Sequence, residues 1–98
     1  MKLGEKETNK INDLVREGNV IAESPSFKTD IRSWKKKVKQ FIDDNAGNEE
    51  KEKTAKILEK DAFYIYLFET EMKDLEKQAI SHYKWQLEKL MDILKSLR

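Results

Sequence analysis

The stretch Ala62-Phe63-Tyr64-Ile65-Tyr66-Leu67-Phe68 decides the fold of this chain. It holds seven consecutive apolar or aromatic residues in a protein in which 40% of the residues are Asp, Glu, Lys or Arg. On a helix, consecutive side chains point in every direction, and a helix that is apolar all round is normally buried all round. The chain has only 98 residues, so its own first half or another copy of itself must cover this stretch.

The residues that flank the stretch predict a helix, although its aromatic and branched side chains would also suit a strand. Apolar residues follow one another at steps of three or four from Leu58 to Leu97. Their mean spacing of about 3.5 residues is the period of a helix that supercoils on a partner. The spacing predicts one helix over residues 48–97, about 75 Å long at its usual rise. A break between residues 69 and 74 would instead produce a four-helix bundle.

Two shorter helices are predicted before the long one. The first spans residues 5–23 and ends before Pro25, because a residue that precedes proline is disfavoured in the helical region. The second spans residues 27–44 and has an apolar stripe centred on Trp34. Asn45-Ala46-Gly47 ends it, since glycine suits the position that follows a helix.

We therefore predict an all-α fold in which two short helices pack on one long C-terminal helix within a single domain, residues 1–98. Helices about 27–29 Å long cannot cover a partner of about 75 Å. The uncovered apolar ridge predicts a homo-oligomer, a dimer or higher, that completes the bundle. The predicted interface residues are Phe63, Tyr64, Ile65, Tyr66, Phe68, Met72, Leu75, Tyr83, Leu87, Leu90 and Leu94.

The composition excludes several classes of protein. The chain has no cysteine, which excludes disulfides, a thiol nucleophile and thiolate metal sites. Its N-terminus lacks the apolar core of a signal peptide, and no run of 18 apolar residues occurs. These features predict a cytoplasmic protein that does not associate with membranes.

A basic stripe on the second predicted helix is the first candidate binding site. It consists of Lys28, Arg32, Lys35 and Lys39, at helical spacing. Such a stripe could bind the phosphates of a nucleotide or of nucleic acid. Acidic residues follow at 43–52 and 69–76, and ion pairs with them would explain the same lysines without a ligand. An acidic protein partner is a third interpretation, and internal pairing is the one we favour.

Nothing in the sequence indicates catalysis. His82 is the only histidine, and the chain lacks a zinc-binding His-Glu-x-x-His pattern, a glycine-rich phosphate loop and a recognisable Ser/His/Asp set. We predict a protein without enzymatic activity, catalytic residues, metal or cofactor. His82 is predicted to face solvent. The tyrosines are predicted to pack in a core or an interface, rather than to stack on a ligand.

The order of the segments resembles a helical module of bacterial and phage proteins. The resemblance is carried by Leu14-Val15-Arg16-Glu17-Gly18, by residues 33–42 around Trp34, by Gly47 and by residues 90–97 with their Ile-Leu-x-x-Leu pattern. It implies an interaction module that is often linked to phage or mobile-element conflict, with no catalytic residues and no ligand. We expect this chain to differ in having no second domain, and it differs in its cluster at residues 63–68.

These observations predict a small non-enzymatic helical binding protein. From the resemblance and the size of the chain, we expect an accessory protein of a phage or mobile element that binds a host protein or a ligand and inhibits host defence. One alternative is an oligomeric sponge for nucleotide second messengers, with phosphates on the basic stripe. Another is a nucleic-acid-binding protein that uses residues 28–39.

Overall fold

The computed structural model describes residues 4–59, 61–69 and 72–97, and within these ranges all side chains except those of residues 62, 68 and 73. The described residues form five α-helices and no strand, which confirms the all-α prediction. The helices are α1 (Glu5–Ala22), α2 (Phe27–Asn45), α3 (Asn48–Leu58), α4 (Asp61–Glu69) and α5 (Lys73–Leu97).

The helices α1 and α2 lie where the sequence predicts them and form an antiparallel pair. Their connection is closed by the Ser24 hydroxyl, which donates to Asp30 at 3.0 Å and accepts from the Ser26 backbone N–H at 3.0 Å. At the centre of the pair, the Trp34 indole N–H donates to the Leu14 carbonyl at 2.8 Å. The bond satisfies a donor that burial would otherwise leave unpaired.

The prediction of one helix over residues 48–97 is wrong. The chain instead forms α3, α4 and α5, and the longest dimension of the molecule is 45 Å, far short of the 75 Å rod. One interruption falls where the sequence left a break open, since α4 ends at Glu69 and α5 begins at Lys73. Residues 70 and 71 lie outside the described ranges. The interruption between α3 and α4 was not predicted.

Side chains of α5 form hydrogen bonds to the backbone at the end of α3 and at the start of α4. In an unbroken helix, the Ile57 carbonyl would accept from the N–H of Asp61, four residues on. Here the Gln86 amide donates to the Ile57 carbonyl at 2.6 Å, and the Tyr83 hydroxyl donates to the Asp61 carbonyl at 3.2 Å. These tertiary contacts fasten the end of α3 and the start of α4 to α5.

The helix α5 is the centre of the fold, because each of the other four helices packs against it. Its apolar ridge is covered within the single chain: Ala79, Tyr83, Leu87, Leu90 and Leu94 are all buried. The ridge was predicted to remain uncovered, so the length argument for assembly no longer holds. None of the described helices has both the length and the hydropathy that a membrane span requires.

A substitution where α1, α2 and α5 meet can test how tightly the core is packed. A Cβ atom added to Gly18 would lie 2.9 Å from a ring carbon of Trp34 and 3.0 Å from the Met91 sulfur. Helix propensity favours alanine over glycine by about 1 kcal/mol, but such overpacking typically costs about 1–3 kcal/mol. We expect Gly18→Ala to lower the free energy of unfolding by roughly 1 kcal/mol.

Chemical denaturation measures this change, and the neighbouring exposed Asn19 offers a matched control. Asn19→Ala changes propensity without adding a core contact, so we expect it to raise stability by a few tenths of a kcal/mol. A Gly18→Ala variant more stable than the parent protein would show that α1 is not held close to Trp34.

Candidate functional site

Each residue of the predicted basic stripe has a carboxylate partner within the chain. The pairs are Lys28–Glu76, Arg32–Glu69 (3.6 Å), Lys35–Asp61 (2.9 Å) and Lys39–Asp43 (2.8 Å). Three of the four acids, Asp61, Glu69 and Glu76, come from α4 and α5, and the fourth, Asp43, lies on α2 itself. This arrangement favours internal pairing over a continuous phosphate-binding face. Lys35, in particular, points into the protein.

Lys35 is at the centre of a buried polar network that joins α2 to α4 and α5. Its side chain is only 6% exposed, and its Nζ donates to the Asp61 carboxylate at 2.9 Å and to the Gln86 amide oxygen at 3.0 Å. The Gln86 amide nitrogen in turn donates to the same carboxylate at 2.8 Å. The ammonium group also lies 3.7 Å from the centre of the Tyr83 ring, within the range of a cation–π contact.

Burial shifts the pKa values of two members of this network. Removal from water lowers the pKa of Lys35, while the hydrogen bond to Asp61 and its charge oppose the shift. Burial likewise raises the pKa of the Tyr83 hydroxyl well above its usual range, and the nearby Asp61 carboxylate adds to the rise. Tyr83 therefore remains a neutral hydroxyl that can donate to the α4 backbone.

A cleft opens beside the network, between α2 and the interruption that separates α3 from α4. Its volume is about 310 Å³. Its walls combine cations with apolar side chains, and they consist of Arg32, Lys35, Lys36, Lys39, Leu58, Asp61 and Ile65. We call this space the basic cleft. Three of the four predicted phosphate-binding residues line it, whereas Lys28 is not among its lining residues.

An aromatic row begins on α4 and continues onto α5. It consists of Phe63, Tyr64, His82 and Trp85. The Phe63 and Tyr64 rings meet edge to face at 5.3 Å, the Tyr64 and His82 rings stack at 3.6 Å, and the His82 and Trp85 rings follow at 5.9 Å. The prediction that His82 faces solvent is wrong, because the imidazole is half-buried between two aromatic rings.

The structure divides the predicted interface residues into three groups. Tyr83, Leu87, Leu90 and Leu94 are buried within the chain, so their assignment to an intermolecular interface is corrected. They fill the core because the folded-back chain places four helices around α5. Tyr64, Ile65 and Leu75 are half-buried, and Phe63, Tyr66 and Met72 are exposed. The side chain of Phe68 lies outside the described residues.

Sequence reasoning missed Asp61, Gln86 and Trp85. A signal for Gln86 existed, because it lies three residues after Tyr83 and beside Leu87, on the apolar face of α5. An amide on an apolar face needs a buried partner, and a nearby Lys–Asp pair is such a partner. The signal for Trp85 is weaker: His82, its ring partner, lies three residues before it on α5, but the spacing alone does not show that Tyr64 of α4 stacks on His82.

Among the residues that the structure describes, no group of three or more His, Asp or Glu side chains is arranged to hold a metal ion. Comparisons with protein-family models, with curated proteins and with solved structures found no match. The functional interpretation therefore depends on the surfaces of this molecule alone.

Proposed function

We propose that this chain is a non-enzymatic interaction protein that pairs with a second copy of itself through the outer face of α4. The observation that carries the proposal is the exposure of Phe63 and Tyr66, which are 57% and 64% exposed. They lie three residues apart, on one face of α4. Met72, which follows α4, is 63% exposed and extends the same apolar character.

The sequence of α4 supports this proposal, because the helix carries apolar side chains on every side. Among the described residues, α5 is the only helix that packs extensively against α4. Leu67 is buried there, while Phe63 and Tyr66 remain in water. A helix that is apolar all round normally requires cover on all sides. A second α4 would supply that cover with side chains of the same kind.

The charges at the ends of α4 are compatible with an antiparallel pairing of two copies. A two-fold axis between Phe63 and Tyr66 would place Phe63 of one copy near Tyr66 of the other, as in a self-complementary interface. The same axis brings Asp61 of one copy towards Glu69 of the other. Asp61 is neutralised within its own chain by Lys35 at 2.9 Å, whereas Glu69 has only a 3.6 Å contact with Arg32. Because the Asp61 charge is neutralised, repulsion between Asp61 and Glu69 opposes the pairing only weakly.

Light scattering coupled to gel filtration tests the proposal directly. We expect the parent protein to approach twice its chain mass of 11.6 kDa as its concentration rises. Phe63→Lys combined with Tyr66→Lys places two charges on the α4 face, and burying an unpaired charge is strongly unfavourable. We expect this variant to elute as a monomer of 11.6 kDa with an unchanged circular dichroism spectrum.

The control variant for this experiment is Val20→Lys. Val20 is 67% exposed on α1, so the substitution adds a charge at an exposed apolar position outside the proposed interface. Its mass should follow that of the parent protein. A parent protein that remains at 11.6 kDa across the concentration range would overturn the proposal, and so would equal dissociation of the Val20 variant.

The wider biological role stays a prediction. A role as a phage or mobile-element accessory protein that acts on host defence depends on the resemblance given above. The proposed pairing through α4 is compatible with that role, because a dimer carries two copies of every surface outside the α4 interface and could bind a partner through them. For the nucleic-acid alternative, the ion pairs of α2 offer little support, because three of the four stripe residues are paired with acids of α4 or α5.

A further inference from the structure

We infer that the basic cleft binds a small phosphate monoester that carries an apolar body. The cleft combines cations on one wall with Leu58 and Ile65 on the other. Its volume of about 310 Å³ is near the lower limit for small-molecule sites. This inference does not depend on pairing through α4, because none of its cations belongs to the proposed interface.

Three cations of the cleft can reach a ligand. Arg32, Lys36 and Lys39 lie at intervals of four and three residues, on one face of α2. Lys36 is exposed, and none of the ion pairs found among the described residues includes it. Lys39 pairs only with Asp43, one turn along the same helix and exposed. Such surface pairs are weak and exchange readily, so both lysines can turn to a phosphate.

Arg32 adds an observation that points to an absent acceptor. Its Nε is buried and has no hydrogen-bond partner within the described part of the chain. A buried donor without an acceptor is unfavourable. The Arg32 contact with Glu69 is long, at 3.6 Å, and the Glu69 side chain is 67% exposed. If the guanidinium group turns towards the cleft, a phosphate oxygen can reach Nε, and arginine binds phosphate in a two-pronged geometry.

The remaining walls specify the rest of the ligand. Lys35 and Asp61 neutralise each other at 2.9 Å, so they contribute little net charge to the cleft. Leu58 and Ile65 are half-buried and line the cleft beside the cations. An inorganic anion would leave these apolar side chains in water, whereas an organic phosphate would cover them. Nucleotides and alkyl phosphates share this chemistry.

Isothermal titration calorimetry with three probes tests the inference: adenosine 5′-monophosphate, octyl phosphate and inorganic phosphate. We expect at least one organic phosphate to bind at least about tenfold more tightly than inorganic phosphate, because only it covers the apolar wall. Tighter binding of the nucleotide would identify a nucleotide site, and tighter binding of octyl phosphate a site for lipid-like phosphates. Failure of both organic probes to bind, or equal affinity for inorganic phosphate, would overturn the inference.

Variants then locate the site. Lys36→Gln combined with Lys39→Gln should raise the Kd about tenfold or more, since it removes two charge-assisted contacts. Lys51→Gln combined with Lys89→Gln removes the same charge from exposed positions outside the cleft. That control should leave the Kd nearly unchanged. Equal weakening by both pairs would mean that the probe responds to net charge only, and would overturn the inference.

Two further variants separate the head group from the apolar body. Arg32→Lys keeps the charge and removes the Nε–H, so it should weaken every probe that binds, without loss of thermal stability. Ile65→Thr should weaken the organic phosphates and leave the affinity for inorganic phosphate unchanged. Unaltered affinity of the organic probes in both variants would place them elsewhere on the surface and contradict the inference.

Discussion

Trp34→Ala is expected to lower the free energy of unfolding by about 3–5 kcal/mol, the range for truncation of a large aromatic residue in a core. Trp34 is fully buried, and its ring contacts the α1 backbone where Gly18 lies. Truncation would leave a cavity between α1, α2 and α5. It would also remove the donor to the Leu14 carbonyl. Urea denaturation followed by circular dichroism at 222 nm measures the change.

The variant Trp34→Phe separates packing from hydrogen bonding. Phenylalanine keeps an aromatic ring in the core and lacks the N–H that reaches Leu14. We expect a smaller loss, about 1–2 kcal/mol, since most of the buried apolar surface remains. If Trp34→Ala and Trp34→Phe cost the same, the hydrogen bond rather than the packing would dominate. A loss below about 1 kcal/mol for the alanine variant would mean that Trp34 is not a core residue.

Asp61→Ala is the second substitution with a large expected effect. It leaves the Lys35 ammonium buried without its counter-ion and removes an acceptor from the Gln86 amide. Breaking one side of a buried ion pair typically costs about 3–5 kcal/mol. The Asp61 side chain is 27% exposed and is therefore only partly removed from water. We expect the free energy of unfolding to fall by an amount near the lower end of this range, about 3 kcal/mol.

Two further variants test whether the unpaired charge of Lys35 causes this loss of stability. Lys35→Met in the Asp61→Ala background removes the unpaired charge and keeps the length of the side chain, so it should restore most of the lost stability. Asp43→Ala breaks the exposed pair with Lys39 and should cost less than about 1 kcal/mol. A double variant as unstable as Asp61→Ala alone would contradict the view that Lys35 desolvation causes the loss.

The candidate surfaces were predictable from the sequence only in part. The apolar residues Phe63 and Tyr66 and the cations Arg32 and Lys39 were identified by composition and spacing. The acidic segments also predicted that the stripe would find partners within the chain, as it does. Lys36 and Leu58 were not assigned to any site, because a cleft requires side chains from two helices whose mutual position the spacing does not encode.

The sequence by itself determined the helical class and the bounds of α1 and α2. The signals for these helices are local: apolar periodicity within each helix, Pro25 after the first and Gly47 after the second. Such signals can be interpreted without knowledge of the tertiary structure. The sequence also predicted that residues 62–68 would be covered, and within the chain this is confirmed for Leu67, whereas Phe63 and Tyr66 are exposed. Only the tertiary structure decided that the region after Gly47 is divided into three helices. The reason is physical: the sequence pattern of an apolar ridge is identical whether a second molecule or the chain's own helices cover the ridge. The choice is made by long-range contacts such as Gln86 with Ile57 and Lys35 with Asp61.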